Sequence, residues 1–545
     1  MESRCGGGWV KSAAGAVLVL SALVGLAGCG PHGGKTSAKL AVDTTQCSGT
    51  FSDGSSINLA NPTFLADVPG NQLFCDFHTF AWNQFVYLTQ MQPDPNNPGP
   101  ATPLFLHLAP WYNMLPQTGG AQPGPWPGGS TALLAGPIDQ QQAGDQDQLL
   151  DVNGATVLYD IRFNDTFYNS VVTQNLYTEA GFDAACAQNL TTGVCANPLY
   201  LPAVASGSSG NPASAGALEV KTAWRDFGAV AGGCPSNFYC NGRFGLVGMH
   251  IVQKTQTHGE WIWASFEHVA NAPDCFTGGD SPIPTTAPSG QPWSFFNPAT
   301  APASVFATQT CEVTGTPQCN ANPQYHVTKN IVLYKPVNVC RTDTVAAGGA
   351  SAANCAVVQD GPPQQNANSR GNVACLNASL QKQLSGSVWS NYKMIGSLWV
   401  RGQTPPTQNF SIQIFQPAPA APTPPAPLTP YGQPVGFPHL ANTTMETWLQ
   451  SGSTGYDPFA SNKGYGTNAT TAGCFLCHNL PSSGAKFGRS DDLSHFPARL
   501  DPAVQQARRA TLVAANSTKP VDKTLLAQPV PTTGHVAGIQ PVNTP

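Results

Sequence analysis

EWIWASFEHV, residues 260–269, has the alternating pattern of a β-strand. Successive side chains of a strand point to opposite faces of its sheet. One face would then carry Trp261, Trp263, Ser265 and Glu267, and the other would carry Ile262, Ala264, Phe266 and His268. Glu267 and His268 are therefore not expected to meet at one ligand unless the strand ends or bulges there.

The rest of the N-terminal region repeats this strand-like character. Six more runs fit short strands: ATVLYDIRF, LEVKTAWRDF, RFGLVGMHIVQK, KNIVLYKPVNV, YKMIGSLWV and FSIQIFQ. Two runs fit helices, DFHTFAWNQFVYLTQM from Asp76 and NDTFYNSVVTQNLY from Asn164. Short strands with turn-rich gaps predict a sandwich or barrel-like core. The predicted fold class of the whole chain is mixed α+β, with a large and mainly β N-terminal region.

Composition favours an exported protein. Only 10% of the 545 residues are charged, and the chain has 55 glycines and 50 prolines. An average soluble domain has about 25% charged residues. Low charge and many turns are typical of secreted β-rich proteins. The net charge of −5 gives no basic surface, so nucleic acid is not an expected partner.

The N-terminus predicts a signal peptide over residues 1–28. Arg4 and Lys11 precede the apolar run SAAGAVLVLSALVGLAG, which is too short for a mature membrane span. The run ends in Leu-Ala-Gly before Cys29, which resembles the bacterial lipobox. That resemblance implies a lipid anchor on Cys29 and, because no Asp follows it, the outer membrane. The alternative is cleavage near Ala27, with Cys29 left as a thiol.

GCFLCHNL, residues 473–480, contains a Cys-x-x-Cys-His motif. With 16 cysteines and 11 histidines in 545 residues, roughly 0.01 chance matches are expected. The spacing suits two thioether bonds to haem, with the histidine under the iron. A structural zinc site would need two more cysteine or histidine ligands nearby. The next cysteine upstream is Cys375, about a hundred residues away, and none follows the motif. A disulfide between Cys474 and Cys477 is the remaining alternative.

The C-terminal part around this motif resembles a cytochrome c. The resemblance implies one covalent haem c, with Cys474 and Cys477 as thioether residues and His478 as the proximal iron ligand. The whole chain is also similar to a group of bacterial cytochrome-c-like lipoproteins, a similarity carried by GLVGMHIVQKT, EWIWASFEHVANAPD, LANTTMETW and SDDLSHF. The well-defined part of the resemblance is the module around the haem motif.

The sixth iron ligand departs from the common pattern of small cytochromes, which use a methionine downstream of the motif. The last methionine here is Met445, upstream of it. His495 is therefore the favoured distal ligand, Met445 is the alternative, and an open site or a ligand from the large region stays open. The structural interpretations are a surface histidine for His495 and core packing for Met445.

Proline-rich sequence marks a domain boundary. QPAPAAPTPPAPLTP, residues 416–430, predicts a stiff linker between a β-rich region (46–415) and a haem module (431–516). In the module, Asn442-Thr443-Thr444 would start a short helix, and a second helix would begin at Asp501. Residues 29–45 read as a flexible tether and residues 517–545 as a disordered tail.

The remaining twelve cysteines suit disulfides in an oxidising compartment. Pairs that close short loops are Cys186–Cys195, Cys234–Cys240, Cys311–Cys319 and Cys340–Cys355. The other four cysteines would then pair among themselves, and they are Cys47, Cys75, Cys275 and Cys375.

The large region contains candidate residues for a second site. The candidate side chains are Lys221, Trp224, Arg225, His250, His258, Glu267, His268 and Asp274. A metal site from His250, His268 and a carboxylate is one interpretation, and a groove for a substrate or partner is another. A structural role, with packed tryptophans and hydrogen-bonded polar groups, is favoured.

The sequence thus predicts a lipid-anchored periplasmic c-type cytochrome that transfers electrons. Its partner would be a redox protein or a small-molecule electron donor or acceptor. One alternative is a haem-dependent oxidoreductase whose large region binds the substrate. Another is a cell-envelope binding protein in which the haem senses or stabilises. Whether the chain is an enzyme stays open.

Overall fold

The structure is a computed structural model in which part of the chain is described. The described residues are 46–93, 100–114, 121–127, 147–148, 151–152, 157–178, 180–181, 184, 201–203, 216–226, 244–258, 261–273, 284–298, 325–326, 331–332, 355–357, 366–401, 415–416, 429–430, 433–436 and 442–445. All of them belong to a compact unit spanning residues 43–545, and the second unit, residues 1–42, lies outside them. The predicted signal peptide, tether, haem motif and tail also lie outside.

Strands outnumber helices in the described chain. The strands are β1 (Met91–Gln92), β2 (Thr102–Pro103), β3 (Ala109–Pro110), β4 (Asp147–Gln148), β5 (Leu158–Phe163), β6 (Leu218–Asp226), β7 (Phe244–Lys254), β8 (Trp261–His268), β9 (Tyr325–His326), β10 (Ile331–Val332), β11 (Tyr392–Arg401), β12 (Phe415–Gln416), β13 (Thr429–Pro430) and β14 (Gln433–Gly436). The α-helices are α1 (Phe74–Leu88), α2 (Trp111–Met114), α3 (Asp165–Thr173) and α4 (Asn366–Gln383). Short 3₁₀ helices cover Leu104–His107 and Val388–Asn391. The mixed, mainly β content agrees with the predicted fold class.

One antiparallel sheet of seven strands organises the molecule. Its order is β14-β11-β8-β7-β6-β5-β3, and smaller sheets pair β1 with β2, β12 with β13, and β4 and β10 with β9. Every neighbouring pair in the large sheet is antiparallel. Among the described strands, its two end strands are not paired with each other. The predicted sandwich or barrel-like closure therefore stays a prediction.

The strand register assigns side chains to the two faces. Lys221 of β6 lies opposite His250 of β7, which lies opposite Ser265 of β8. Side chains that face each other across neighbouring strands share a face of the sheet. Glu267 is on the same face as Ser265, and His268 is on the other, as the alternation of the sequence predicts.

Helix α1 covers the face that carries His268, which we call the helix face. All 15 residues of α1 are buried. Its Phe85 ring stacks on Phe266 of β8 with 4.4 Å between ring centroids, and Trp82 meets the same ring edge-on at 5.1 Å. The apolar helical spacing predicted from Asp76 is confirmed, with the helix beginning two residues earlier.

A buried carboxylate fixes the start of α1. Asp76 accepts the backbone N–H of Leu73 at 2.9 Å and that of Ser52 at 2.7 Å, and the Ser52 hydroxyl donates to it at 2.7 Å. A carboxylate in the first turn also suits the positive end of the helix dipole. Asp76 therefore ties the N-terminal loop to the helix.

Helix α4 lies beside α1 and is locked to the sheet by Asn377. The Asn377 amide donates to the carbonyl oxygen of Met394 at 2.8 Å and accepts the Met394 N–H at 2.9 Å. Trp82 Nε1 donates to the same Asn377 oxygen at 3.2 Å. One buried amide thus joins two helices and strand β11, and sequence patterning did not predict this helix.

Two disulfides lie in the described chain. Cys47 bonds to Cys75, a pairing that the prediction left open, with Cα atoms 5.6 Å apart. Cys355 bonds to Cys375 with Cα atoms 5.5 Å apart. The predicted Cys340–Cys355 bridge is therefore wrong, and so is the expectation that Cys375 pairs with Cys47, Cys75 or Cys275. The reason is that α4 brings Cys375 to Cys355. The other three predicted bridges lie outside the described residues.

The chain reaches the sheet again after the proline-rich segment. β12 and β13 pair residues at the two ends of the predicted linker, and β14 then adds to β11 as an end strand. Residues 442–445 form a turn that contacts the sheet. The start of the predicted haem module is thus joined to the large region, and the boundary at residue 431 stays a prediction.

None of the helices in the described residues has both the length and the apolar character that a membrane span requires.

Candidate functional site

The face of the sheet opposite α1 carries a set of buried polar side chains. We call this set the polar row, and it consists of Glu219, Lys221, His250, Ser265 and Glu267. They come from β6, β7 and β8 and share one face through the strand register. A buried polar group is costly unless it has a partner, so the polar row needs hydrogen-bonding or ionic partners, although the same face also buries apolar side chains such as Trp263.

Lys221 is a buried base of the polar row. Burial lowers the pKa of Lys221 from 10.5 to about 7, and the negative charge of nearby Glu219 opposes that shift. Its ammonium nitrogen lies 5.0 Å from the centre of the Tyr159 ring. A ring face attracts a cation. Lys221 therefore changes its charge close to neutral pH.

His250 stays neutral in the same environment. Burial lowers its pKa from 6.5 to about 3, and the positive charge of Lys221 adds to the effect. A neutral imidazole has one nitrogen that donates and one that accepts. His250 thus contributes hydrogen-bonding capacity to the polar row without a charge.

Glu267 binds a separate piece of chain. Its Oε2 accepts the backbone N–H of Thr443 and the Thr443 hydroxyl, both at 2.8 Å. Its Oε1 lies 3.7 Å from Nζ of Lys393, which is opposite Glu267 in the register. Hydrogen bonds to an ionised group are about twice as strong as neutral ones. Glu267 is therefore the charged anchor for residue 443.

Thr443 belongs to a four-residue segment, Asn442–Met445, which we call the strap. The Asn442 amide donates to Ser265 Oγ at 3.0 Å and to the Phe266 carbonyl at 2.8 Å. The Tyr159 hydroxyl donates to the Thr444 carbonyl at 2.8 Å. The N–H and hydroxyl of Thr444 donate to Asn442 Oδ1. Strands β5 and β8 thus hold the strap through both side chains and backbone.

Met445 ends the strap inside an apolar cluster. The cluster also contains Val157, Tyr159, Ala223, Val247, Ala272 and Phe295, and Met445 is fully buried in it. Gly248 lies directly beneath, and a side chain there would collide with the Thr444 hydroxyl. The absence of a side chain at Gly248 therefore lets the strap approach the sheet closely.

The structure does not bring His250 and His268 together at one metal site. The two histidines lie on opposite faces, and His268 Nδ1 accepts the backbone N–H of Ala270 at 3.1 Å. Its ring meets Tyr392 edge-on at 5.3 Å. Within the described residues, no group of three metal-ligating side chains comes together.

Other predicted site residues have structural partners. Arg225 forms an ion pair with Asp151, Trp224 Nε1 donates to the Thr222 hydroxyl at 2.8 Å, and the His258 ring meets Phe77 edge-on at 4.9 Å. These contacts match the favoured structural interpretation. Asp274 lies outside the described residues.

The haem motif residues Cys474, Cys477 and His478 also lie outside the described residues, as do His495 and Cys29. Of the predicted iron ligands, only Met445 is described, and it packs in the core as its structural interpretation expects. Sequence reasoning missed the strap itself. Its one signal was the polar run Asn442-Thr443-Thr444, which was interpreted as a helix start.

Comparison with protein-family models, with curated proteins and with solved structures finds no match to this chain.

Proposed function

We propose that the chain is a c-type cytochrome that transfers electrons through one covalent haem. The observation that carries the proposal is the motif Cys474-x-x-Cys477-His478, and the predicted export signal at residues 1–28 supports it. Cys474 and Cys477 would form the thioether bonds, and His478 would bind the iron from the proximal side. A haem c held there supplies reversible one-electron chemistry.

His495 is the favoured distal ligand because no methionine follows the motif. Met445 is fully buried in an apolar cluster, which agrees with its interpretation as a core residue. His495 is the histidine between the motif and the predicted tail. With imidazole on both sides, the iron would have a lower potential than with methionine and histidine.

The location and partners are part of the same proposal. A lipid on Cys29 would anchor the protein on the periplasmic side of the envelope, at the outer membrane. Residues 431–516 would include a small helical module of the cytochrome c type. The donor or acceptor would be a redox protein or a small molecule. The disulfides of the described chain, Cys47–Cys75 and Cys355–Cys375, fit an oxidising compartment.

Covalent attachment is the direct test. After denaturation in acid–acetone, haem should remain with the unmodified chain. Cys477→Ser should keep one thioether bond at most and shift the pyridine haemochrome spectrum. Haem that extracts cleanly from the unmodified protein would refute the proposal.

Ligation of the iron separates a carrier from an enzyme. His495→Ala should convert a low-spin spectrum to high-spin and permit carbon monoxide binding. His535→Ala, a histidine in the predicted tail, is the matched control and should change neither. A native protein that already binds carbon monoxide would favour the haem-dependent oxidoreductase instead.

A further inference from the structure

The strap crosses the large sheet along one row of positions. Thr443 is bonded to Glu267 of β8, the Thr444 hydroxyl lies close above Gly248 of β7, and the Thr444 carbonyl accepts the hydroxyl of Tyr159 of β5. The strand register places these positions opposite one another across β5, β6, β7 and β8. The strap therefore lies across four neighbouring strands.

Lys221 leans towards the row that the strap covers. In the register, Lys221 of β6 lies between Ile161 of β5 and His250 of β7, which is the next row of the same face. Its ammonium nitrogen nevertheless lies over the ring of Tyr159, 5.0 Å from the centre. The hydroxyl of the same ring donates to the strap. Tyr159 thus contacts the strap with its hydroxyl and the ammonium with its ring.

The titratable groups that share this face with Lys221 or lie along its strand come from five strands. They are Tyr159 of β5, Glu219 and Arg225 of β6, His250 of β7, Glu267 of β8 and Lys393 of β11, with Asp151 paired to Arg225. Burial raises the pKa of Tyr159 and lowers that of His250 to about 3, so both are neutral at pH 7. The strap itself has no ionisable side chain. Lys221 therefore changes its charge near neutral pH while these two neighbours keep theirs.

We propose that the strap is a pH-sensitive latch, which stays docked while Lys221 is a neutral amine and opens when Lys221 carries a proton. A buried ammonium group is costly because it has lost its water. Release of the strap exposes the neighbouring row to water, which lowers that cost. A docked strap and a protonated Lys221 therefore disfavour each other, and the coupling acts in both directions.

The composition of the strap suits opening without unfolding of the sheet. Three of its four side chains, Asn442, Thr443 and Thr444, are polar, and Met445 is the large apolar one. Water can replace the hydrogen bonds that the polar residues make when docked. Segments held in this way open locally at a lower cost than global unfolding. Strands β5 to β8 are thus expected to stay paired when the strap leaves.

The first measurement is hydrogen exchange at the amides of Thr443 and Thr444 between pH 7 and pH 9. The pKa of Lys221 is about 7 with the strap docked, and it should return towards 10.5 when the strap opens. Opening then takes up a proton, so a higher pH opposes it. Protection, corrected for the intrinsic exchange rate, should rise about ten- to fiftyfold over this range.

A reference amide separates opening of the strap from unfolding. The Met394 amide is bonded to Asn377 on the helix face, and it should be better protected than Thr444 at every pH. Equal protection of the two amides would mean that the strap leaves only when the protein unfolds. Constant protection of Thr444 between pH 7 and pH 9 would equally overturn the latch.

Variants of Lys221 and Glu219 test the origin of the rise. Lys221→Met keeps a long side chain without a charge, so its protection at pH 7 should match that at pH 9. Lys382→Met, at an exposed lysine, is the control and should keep the rise. Glu219→Gln removes a charge that favours the proton on Lys221 and should move the rise to lower pH. This variant retains Lys221 and serves if Lys221→Met does not fold; a rise that persists in Lys221→Met or stays at the same pH in Glu219→Gln would overturn the role of Lys221.

Tyr159→Phe separates the hydrogen bond from the charge. The variant keeps the ring beneath the ammonium and loses the bond to Thr444. Protection of the strap should fall about two- to tenfold at pH 7 and at pH 9 alike, and the rise between them should remain. Loss of the rise would assign the pH sensitivity to the tyrosine hydroxyl and overturn the proposal. All these outcomes are independent of haem, so a protein without covalent haem would refute the proposed function alone.

Discussion

The two faces of the seven-stranded sheet are made by alternate residues of the same strands, yet they are built differently. The helix face packs aromatic rings such as Phe266 against Phe85 of α1. The opposite face buries Glu219, Lys221, His250 and Glu267 and receives the strap. Apolar packing stabilises a fold without specifying partners, whereas buried polar groups are costly and specific. The aromatic packing assigns a large share of the stability to the first face, although that face also buries polar groups such as His78, and the strap assigns docking to the second.

The largest expected effect comes from a cavity on the helix face. Phe85 is fully buried and contacts both Phe266 and Trp82. Phe85→Ala should lower the free energy of unfolding by about 3–5 kcal/mol, measured by chemical denaturation. Val388→Ala is the control, because Val388 is 67% exposed. If Phe85→Ala and Val388→Ala lowered the free energy of unfolding equally, the helix face would not be the main source of stability.

The next effect is acid sensitivity from His78, which reaches the helix face from α1. Its Nδ1 lies 2.6 Å from Ser397 Oγ, and burial lowers its pKa from 6.5 to about 3. The unfolded chain binds a proton near pH 6.5 that the folded protein binds only near pH 3. Stability is therefore full above pH 6.5 and falls as the pH drops towards 3.

The magnitude of this effect can be measured by denaturation at two pH values. Between pH 7 and pH 4.5, His78 should account for about 2–3 kcal/mol of lost stability. His78→Gln should remove that part of the pH dependence. His107→Gln, at a half-buried histidine, should retain it, and a variant of His78 with unaltered pH dependence would contradict the prediction.

Lys221 of the polar row should make the free energy of unfolding depend on pH above neutrality. Its pKa is about 7 in the folded protein and 10.5 without burial. The unfolded chain stays protonated between these values while the folded protein loses its proton, so stability rises with pH. From pH 7 to pH 9 the gain should be about 2 kcal/mol. Lys221→Met should remove this rise in the free energy of unfolding between pH 7 and pH 9. Lys382→Met, at an exposed lysine, should keep it. An equal dependence of stability on pH in the two variants would contradict the role of Lys221.

The smallest expected effect is the loss of one tyrosine hydroxyl, which can be compared between the two faces. Tyr159 donates to the Thr444 carbonyl of the strap, and Tyr392 on the helix face donates to the Leu246 carbonyl at 2.6 Å. Each change to Phe should cost about 1 kcal/mol. Only Tyr159→Phe should accelerate hydrogen exchange in the strap. Acceleration by both variants would mean that the two faces are not independent.

Local sequence patterns predicted the five long strands of the large sheet, β5, β6, β7, β8 and β11. EWIWASFEHV became β8 with Glu267 and His268 on opposite faces, and the run from Asn164 became α3, with Asn164 accepting the N–H of Phe167 at 3.0 Å as its cap. The spacing of apolar residues and the capping of a helix depend on residues that are close in sequence, so they can be recognised from one sequence alone. Helix α3 and strand β8 are therefore the kind of element that pattern reasoning finds.

Contacts between distant segments were not predictable in this way. Asn442 binds Ser265 across 177 positions, Trp82 binds Asn377 across 295, and Cys355 bonds to Cys375 rather than to the expected Cys340. Helix α4 was missed because buried asparagines interrupt its apolar pattern. For the candidate site, the sequence indicated Glu267 and Met445 individually, but their link through Thr443 needed the fold.

The end strands of the large sheet bear on how the protein behaves at high concentration. β3 is two residues long and contains Pro110, and β14 is four residues long and contains Pro434. Proline has no N–H to offer a new strand, and short edges give little template for one. Among the described strands, both borders of the sheet therefore discourage strand addition by another molecule. A sheet with such borders resists the edge-to-edge aggregation that proteins with long, open sheet edges otherwise risk.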